Sequence, residues 1–157
     1  MTPAVRAAER AGVPHQVLAY TPDPAAPAFG LDAARALDVD PAHVYKTLVA
    51  RTDAPGTPLA VALVPADRRL DLKALAETFG AKRAALADVA AAERATGYVV
   101  GGISPLGQRR ALPTVVDASA VGMATVYVSA GRRGLELALA PADLVRLTGA
   151  RVAAVAR

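Results

Sequence analysis

The stretch VYKTLVARTDAPGTPLAVALV, residues 44–64, decides the fold class of this chain. Its two ends, residues 44–51 and 59–64, are runs of apolar and β-branched residues that predict two strands. The segment TDAPGTP between them holds two prolines and a glycine and predicts a turn. Because LAVALV is apolar at every position, the second strand is predicted to be buried on both faces. The centre of the structure is therefore expected to be a sheet.

Helix and strand signals alternate irregularly on both sides of these two strands. Helices are predicted where N-cap residues or prolines precede alanine-rich runs, at residues 3–11, 30–38, 72–80, 88–95 and 141–148, with a further helix start at Asp40-Pro41. Other strands are predicted at residues 16–20, 114–116, 125–129, 135–139 and 152–155. Since no linker or repeat interrupts this order, we expect one compact α+β domain over residues 1–157, with a mixed, mostly antiparallel sheet and peripheral helices.

The composition of the 157 residues excludes several classes of site. The chain has no cysteine, which rules out disulfides, thiolate zinc sites, iron–sulfur clusters and a cysteine nucleophile. Its histidines, His15 and His43, stand in no zinc-binding spacing, so we expect no metal and no cofactor. The net charge of +4 is modest and permits an anionic partner. No signal peptide and no run of ~18 apolar residues is present, so a cytoplasmic protein without membrane contact is expected.

Lys46 is unusual for its position in the first predicted strand. It shares a strand face with Val44 and Leu48, where apolar residues are the rule. A compact ammonium there could bind a carbonyl, a carboxylate or a phosphate. It could equally extend from an edge strand into solvent. The strand pattern alone leaves both interpretations open.

A glycine-rich segment, GYVVGGISPLG at residues 97–107, cannot form a regular helix or strand because it holds four glycines and a proline. The backbone amides of Gly101 and Gly102 could bind an oxyanion or the polar end of a substrate. The alternative is a tight loop packed on the sheet. The segment matches neither the dinucleotide-binding fingerprint nor the P-loop.

The segment SAGRRG, residues 129–134, predicts a hairpin loop between the strands at 125–129 and 135–139. Phosphate contact by Arg132 and Arg133 is possible, but a solvated loop is favoured because exposed loop arginines are ordinary. The pair Arg109-Arg110 allows the same two interpretations.

No serine stands in a GxSxG motif, and neither histidine is placed to activate one. An enzyme built from this chain would work through positioning, backbone donors and a lysine.

Four strings together resemble one known family closely, and the similarity runs essentially from end to end. They are VYKTLV (44–49), RATGYVVGGISPLGQRR (94–110), LPTVVDAS (112–119) and VSAGRRGLELALAPADLVRLTGA (128–150). The family is the YbaK family of Cys-tRNA(Pro) deacylases, which is related to the editing domain inserted in bacterial prolyl-tRNA synthetases. The resemblance implies a mixed sheet curved into a partial barrel with helices outside.

The resemblance also implies which residues form the site. It places the key lysine of the family at Lys46, with Gly101 and Gly102 receiving the reacting carbonyl. Its substrate-binding positions match Tyr20, Phe29, Thr47, Tyr98, Ile103, Ser104, Pro105, Ser129, Ala130 and Gly131. An acidic position that is usually aspartate in the family is Glu136 here. From the residues alone, Glu136 and Asp117 could each orient an ammonium group, but capping or surface pairing is favoured.

The activity implied by the resemblance is editing in trans. Such enzymes cleave the ester between a wrong amino acid and the 3′-terminal ribose of tRNA(Pro), whose acceptor end is the expected partner. The implied chemistry uses no protein nucleophile, because the thiol of the bound cysteinyl group attacks its own ester carbonyl. A complex with prolyl-tRNA synthetase is a further expectation. The alternative is a non-catalytic module of the same fold that binds aminoacyl-tRNA or a small ligand.

Overall fold

The computed structural model describes residues 1–157 and shows five helices and eight strands. The helices are α1 (Pro3–Ala11), α2 (Phe29–Leu37), α3 (Leu72–Thr78), α4 (Val89–Thr96) and α5 (Pro141–Thr148), with short 3₁₀ turns at Pro41–His43 and Ala118–Ala120. The strands are β1 (His15–Ala19), β2 (Tyr45–Thr52), β3 (Leu59–Pro65), β4 (Ala84–Leu86), β5 (Thr114–Asp117), β6 (Val126–Arg132), β7 (Leu135–Leu139) and β8 (Arg151–Ala153). No helix is long and apolar enough to cross a membrane.

The strands form two sheets, which confirms the predicted α+β class. One has the order β1-β7-β6 and the other the order β4-β2-β3-β5-β8. The pairs β1–β7, β6–β7, β2–β3 and β2–β4 are antiparallel, whereas β3–β5 and β5–β8 are parallel. A single bridge between Val44 and Tyr127 joins the two sheets, which curve around a shared core without closing into a barrel.

The apolar pattern of β3 is explained by packing on both faces of the larger sheet. Val61 and Leu63 lie in clusters on one face, and Leu63 shares the main core with α1, α5 and the smaller sheet. Ala62 and Val64 lie on the other face, packed under Leu75 of α3. Because successive side chains of a strand point to opposite faces, only a continuous apolar run fits this position. The predicted two-sided burial of this strand is confirmed.

Several elements differ from the sequence prediction. Strand β4 was not predicted, because it is only three residues long, contains two alanines and is defined by pairing with Ala50–Thr52 of β2. The closing strand is Arg151–Ala153 instead of residues 152–155, because Val155 turns into the core and donates its N–H to Asp117. The helix signal at Asp40-Pro41 gives only a 3₁₀ turn.

Candidate functional site

A cleft of about 400 Å³ opens along the edge of β2. Strand β4 pairs with Ala50–Thr52, Ala87 N–H donates to Val49 O, and Val44 before β2 bridges to Tyr127 of β6. Between these points residues 45–48 are paired only with β3. The cleft occupies this space. Its other walls come from the segment before α2, the connection from β4 to α4, the glycine-rich segment 97–107, and strands β6 and β7. Most of the lining side chains are apolar.

The structure brings part of the predicted site together in this cleft. The predicted residues that line it are Tyr20, Phe29, Lys46, Thr47, Gly101, Ile103, Ser129 and Glu136. The predicted residues that lie outside its lining are Tyr98, Gly102, Ser104, Pro105, Ala130 and Gly131. The residues of the second group lie in the same two loops as members of the first, but they pack inside the protein.

Lys46 is the cationic side chain of the cleft, and no other lining residue is a lysine or arginine. It is half-buried between apolar neighbours on β2 and forms no ion pair. Burial lowers the pKa of its ammonium group, and the nearby Asp67 carboxylate partly opposes this effect. An ammonium without a carboxylate partner is available to an anionic or carbonyl oxygen of a ligand.

Glu136 is the acidic side chain of the cleft and is almost completely buried on β7, the middle strand of the smaller sheet. Its neighbours Leu135 and Leu137 point into the core, so alternation directs Glu136 to the opposite face. Its Oε2 has no hydrogen-bond partner, and the same is true of the buried Thr47 Oγ1. Burial raises the pKa of Glu136 to about 8. Two buried polar atoms that the protein leaves without partners make this apolar cleft suited to a ligand with polar groups.

The buried carboxyl of Glu136 should make the stability of the protein depend on pH. Because the pKa of this carboxyl is 4.5 in the unfolded chain and about 8 in the folded chain, its ionised form destabilises the folded chain, whereas its protonated form does not. Stability therefore falls as pH rises between these values. Glutamine does not ionise, so Glu136→Gln avoids this loss. As pH rises from 4.5 to 9, the free energy of unfolding of the variant should increase by roughly 2–5 kcal/mol relative to that of the parent.

This expectation is checked by urea unfolding of both proteins at several pH values. The difference between their free energies of unfolding isolates Glu136, because all other titrating groups are common to both chains. A difference that stays constant across this range would show that Glu136 ionises with an ordinary pKa.

The two glycines of the predicted carbonyl site differ in the structure. Gly102 donates its N–H to Val99 O at 2.9 Å, so this amide is already used inside the loop. Gly101 lines the cleft, and its N–H forms no hydrogen bond within the protein. Its φ of 97° lies in the left-handed region that favours glycine. Of the pair, Gly101 therefore has the available amide donor.

The predicted residues outside the cleft hold its loops in place. Tyr98 is buried in the main core, and its hydroxyl donates to Leu106 O at 2.6 Å. The Ser104 hydroxyl accepts from Leu106 N–H within the same loop. Thr2 donates to Ala130 O, and the backbone of Gly131 lies so close to Tyr98 that a Cβ would be 2.9 Å from its ring. These residues position the cleft walls without lining them.

Ser129 on β6 and Glu136 on β7 face each other across the strand pair and both line the cleft, but no hydrogen bond joins them. Ser129 Oγ accepts a hydrogen bond from Gly131 N–H at 3.2 Å, and the cleft has no histidine or cysteine. No group of three or more histidine, aspartate or glutamate side chains in the chain is arranged to hold a metal ion. The arrangement can bind a polar ligand and stabilise charge on it, but no lining hydroxyl is hydrogen-bonded to a base that would activate it for covalent attack.

Sequence reasoning missed two parts of the site. The first is the apolar wall formed by Leu86, Ala87 and Val89, whose alanine-rich connection carries no motif. The second is Arg133, for which a solvated loop was favoured. Arg133 is instead partly buried, stacked 4.6 Å from the centre of the Phe29 ring and paired with the buried carboxylate of Asp32 at 3.4 Å. In the sequence, only the GRRG string could have indicated that Arg133 has a structural role.

Comparison with known proteins identifies the family of this chain. The family model for the aminoacyl-tRNA editing domain matches residues 24–147. A protein of Enterococcus faecalis, "Putative Cys-tRNA(Pro)/Cys-tRNA(Cys) deacylase EbsC", is 34% identical over 122 residues, which are 78% of this chain and 73% of that protein.

Solved structures agree with the family model. The crystal structure of the hypothetical protein APE2540 superposes with a TM-score of 0.87 at 27% identity, covering 99% of this chain and all of that one. The crystal structure of a "putative trans-editing enzyme for prolyl tRNA synthetase" superposes with a TM-score of 0.84 at 26% identity, covering 100% of this chain and 99% of that one. With the motifs at Lys46 and residues 97–107, these matches show that the chain belongs to the aminoacyl-tRNA editing domain family of deacylases.

Proposed function

We propose that this protein is a trans-editing deacylase that removes cysteine, or a similarly small amino acid, from the acceptor end of mischarged tRNA(Pro). One observation carries the proposal beyond the family. The same cleft holds an unpaired ammonium, Lys46, and a buried unpaired carboxyl, Glu136, but no hydroxyl that is hydrogen-bonded to a base. An aminoacyl ester supplies the complementary groups, because it has an α-ammonium, a polarised carbonyl and flanking phosphates.

Glu136 is the proposed acceptor for the α-amino group of the substrate. Its pKa of about 8 lies near that of an ordinary α-amino group, at about 7.8. An arriving ammonium supplies the missing opposite charge and stabilises the ionised carboxylate. The cost of burying Glu136 alone is thereby offset when substrate binds.

Lys46 and Gly101 are proposed to act at the other end of the aminoacyl group. The ammonium of Lys46 binds the terminal phosphate or the ester oxygens, and the free N–H of Gly101 binds the carbonyl oxygen as it gains negative charge. Because both donors are held by the fold before substrate arrives, they need no rearrangement at the moment of reaction. Gly102 acts indirectly, by fixing the loop.

The amino-acid side chain is proposed to lie against the apolar walls of the cleft. Val49, Ile103 and Ala92 line it, and its volume of about 400 Å³ must also hold the ester and part of the terminal ribose. An apolar wall accepts a thiol or a methyl group without leaving a polar atom unpaired, whereas it disfavours a charged side chain. Cysteine and alanine satisfy this condition.

The proposed reaction with cysteinyl-tRNA is intramolecular. The substrate sulfur attacks its own ester carbonyl carbon, the bond from that carbon to the ribose oxygen breaks, and the thiol proton passes to this oxygen. Free tRNA and a cyclic thiolactone result. This route needs no protein nucleophile, which fits the lining of the cleft. With alanyl-tRNA, water would have to attack instead.

The test is a panel of labelled aminoacyl-tRNAs incubated with the purified protein. Release of amino acid from Cys-tRNA(Pro) should exceed the protein-free rate by at least about 100-fold, with little release from Pro-tRNA(Pro). S-methylation of the cysteinyl group should abolish release if sulfur attacks, and leave it unchanged if water attacks. Equal rates with and without protein on every tRNA would disprove the deacylase, and binding without release would assign a non-catalytic module.

Selection of the tRNA is proposed to involve the exposed arginines and a partner protein. Arg109 and Arg110 are exposed and form no ion pair, so they are available to acceptor-stem phosphates. The modest net charge of +4 predicts weak binding of tRNA by the protein alone. A complex with prolyl-tRNA synthetase in the cytoplasm would provide the remaining selectivity, and cochromatography at low salt tests for it.

A further inference from the structure

The proline-rich segment 20–28, which connects β1 to α2, forms one wall of the cleft. Tyr20, Pro27, Ala28 and the adjoining Phe29 line the cavity. The segment belongs to neither sheet, and only Tyr20 N–H, which donates to Gly134 O at 2.9 Å, bonds to backbone beyond α2. Such a segment is held mainly by its side-chain contacts.

Arg133 makes the principal contacts of this kind. Its guanidinium donates to Asp23 O at 2.5 Å and to Asp32 Oδ2 at 3.4 Å, and it stacks on Phe29 at 4.6 Å. Asp32 Oδ2 also accepts Asp23 N–H at 3.1 Å, so both backbone groups of Asp23 are engaged. One planar cation thus joins the proline-rich segment, the first turn of α2 and the hairpin loop between β6 and β7.

The same cation stacks on the Phe29 ring, which in turn lies beside Gly101. Carbons of this ring are 3.4–3.6 Å from the position that a Cβ would take at Gly101, so the ring lies against the glycine with the available amide. Phe29 is 38% exposed and is therefore incompletely held by packing alone. Loss of the arginine would release both the ring and the segment before it.

From these contacts we infer that Arg133 is a positioning residue that latches the proline-rich segment 20–28 and Phe29 over the cleft. It does not line the cleft and does not touch the reacting groups. Its buried partner Asp32 holds the latch in place because an unpaired carboxylate at 4% exposure would be costly. The latch keeps the aminoacyl group between Phe29 and β2, so its loss should weaken substrate binding more than it slows the chemical step.

The matched control is the neighbouring Arg132. Its side chain is exposed and forms no hydrogen bond or ion pair, so Arg132→Ala removes the same charge without touching the latch. Arg133→Lys keeps the charge and one possible donor but lacks the planar group that joins three partners. Because Arg133→Lys keeps a positive charge beside Asp32, it can be measured even if Arg133→Ala fails to fold.

Hydrogen exchange of the full chain tests the latch without reference to activity. Amides of residues 21–29 should exchange about tenfold faster in Arg133→Ala, the size expected for loss of a charge-assisted hydrogen bond. Arg133→Lys should show a smaller increase, and Arg132→Ala none. Unchanged exchange in both Arg133 variants would overturn the inference, whatever the protein does to tRNA.

The kinetic arm rests on the proposed function. In deacylation of Cys-tRNA(Pro), Arg133→Ala should raise KM about tenfold with kcat changed less than threefold. On the same substrate, Arg132→Ala should leave KM unchanged. Equal increases of KM in the two alanine variants would show that only charge matters and would overturn the latch. If the parent protein releases no amino acid, the proposed function fails while the exchange result still decides the latch.

Discussion

Replacing Lys46 by alanine is expected to slow release of amino acid from mischarged tRNA by about 100- to 1000-fold, the usual effect of removing a donor aimed at developing charge. Lys46 is the sole cation among the residues lining the cleft, so no other lining side chain can take its place. The fold should survive, because Lys46 has no ion-pair partner and its removal leaves no charge unpaired. Single-turnover deacylation measures the loss.

The control for this variant is Lys73→Ala, which removes the same charge from an exposed position on α3. It should retain the parental rate to within a factor of two or three. Lys46→Arg should recover part of the activity, since it keeps the charge but brings a larger, planar group into a small cleft. Parental activity of Lys46→Ala would remove this residue from the mechanism.

Replacing Gly102 by alanine is expected to destabilise the protein by about 3 kcal/mol or more, the upper range for overpacking. A Cβ at this position would lie 2.5 Å from Arg132 Cα, 2.8 Å from Arg132 C and 2.9 Å from Arg133 N. These are backbone atoms of the hairpin between β6 and β7 and cannot rotate away. Relief requires that the glycine-rich segment separate from that hairpin. The change is measured as a lower midpoint of urea unfolding.

Gly122→Ala is the matched control for the cost of losing a glycine. Gly122 has a φ of 89° and no atom within 4 Å of an added Cβ, so alanine there costs only backbone strain, about 1–2 kcal/mol. Gly102 is not among the residues with positive φ, and its cost is therefore steric alone. Equal losses in the two variants would show that the close approach at Gly102 relaxes at little cost.

The sequence predicted most of the fold because its local signals agree with the tertiary packing. Thr2 and Asp71 each cap a helix with a side-chain oxygen, as predicted, and Asp88, predicted as the first residue of its helix, is the N-cap instead. The apolar runs of residues 44–51 and 59–64 likewise predicted the strands β2 and β3. Strand β4 had no such signal, because its three residues are recognised only by their pairing with β2.

The site was predicted only in part, since a motif identifies a loop without showing how the loop is folded. Gly101 and Gly102 are adjacent and chemically identical, yet one amide is free and the other bonds to Val99 O. The role of Arg133 was even less predictable from the local sequence. Its partners Asp23 and Asp32 lie 110 and 101 residues away, so nothing local distinguishes it from the exposed Arg132.

The short stretch of β2 at residues 45–48, which lies between the bridge at Val44 and the pairing with β4 and is unpaired on that side, has a consequence for self-association. An unpaired strand edge is a template onto which another chain can add a strand, and proteins usually protect such edges. Here the proline-rich segment stands across the cleft from this edge, and Pro22, Pro24 and Pro27 have no N–H to donate to a sheet. The segment that walls the substrate cleft therefore also guards against aggregation, and a chain that loses the wall should become less soluble as well as less able to bind.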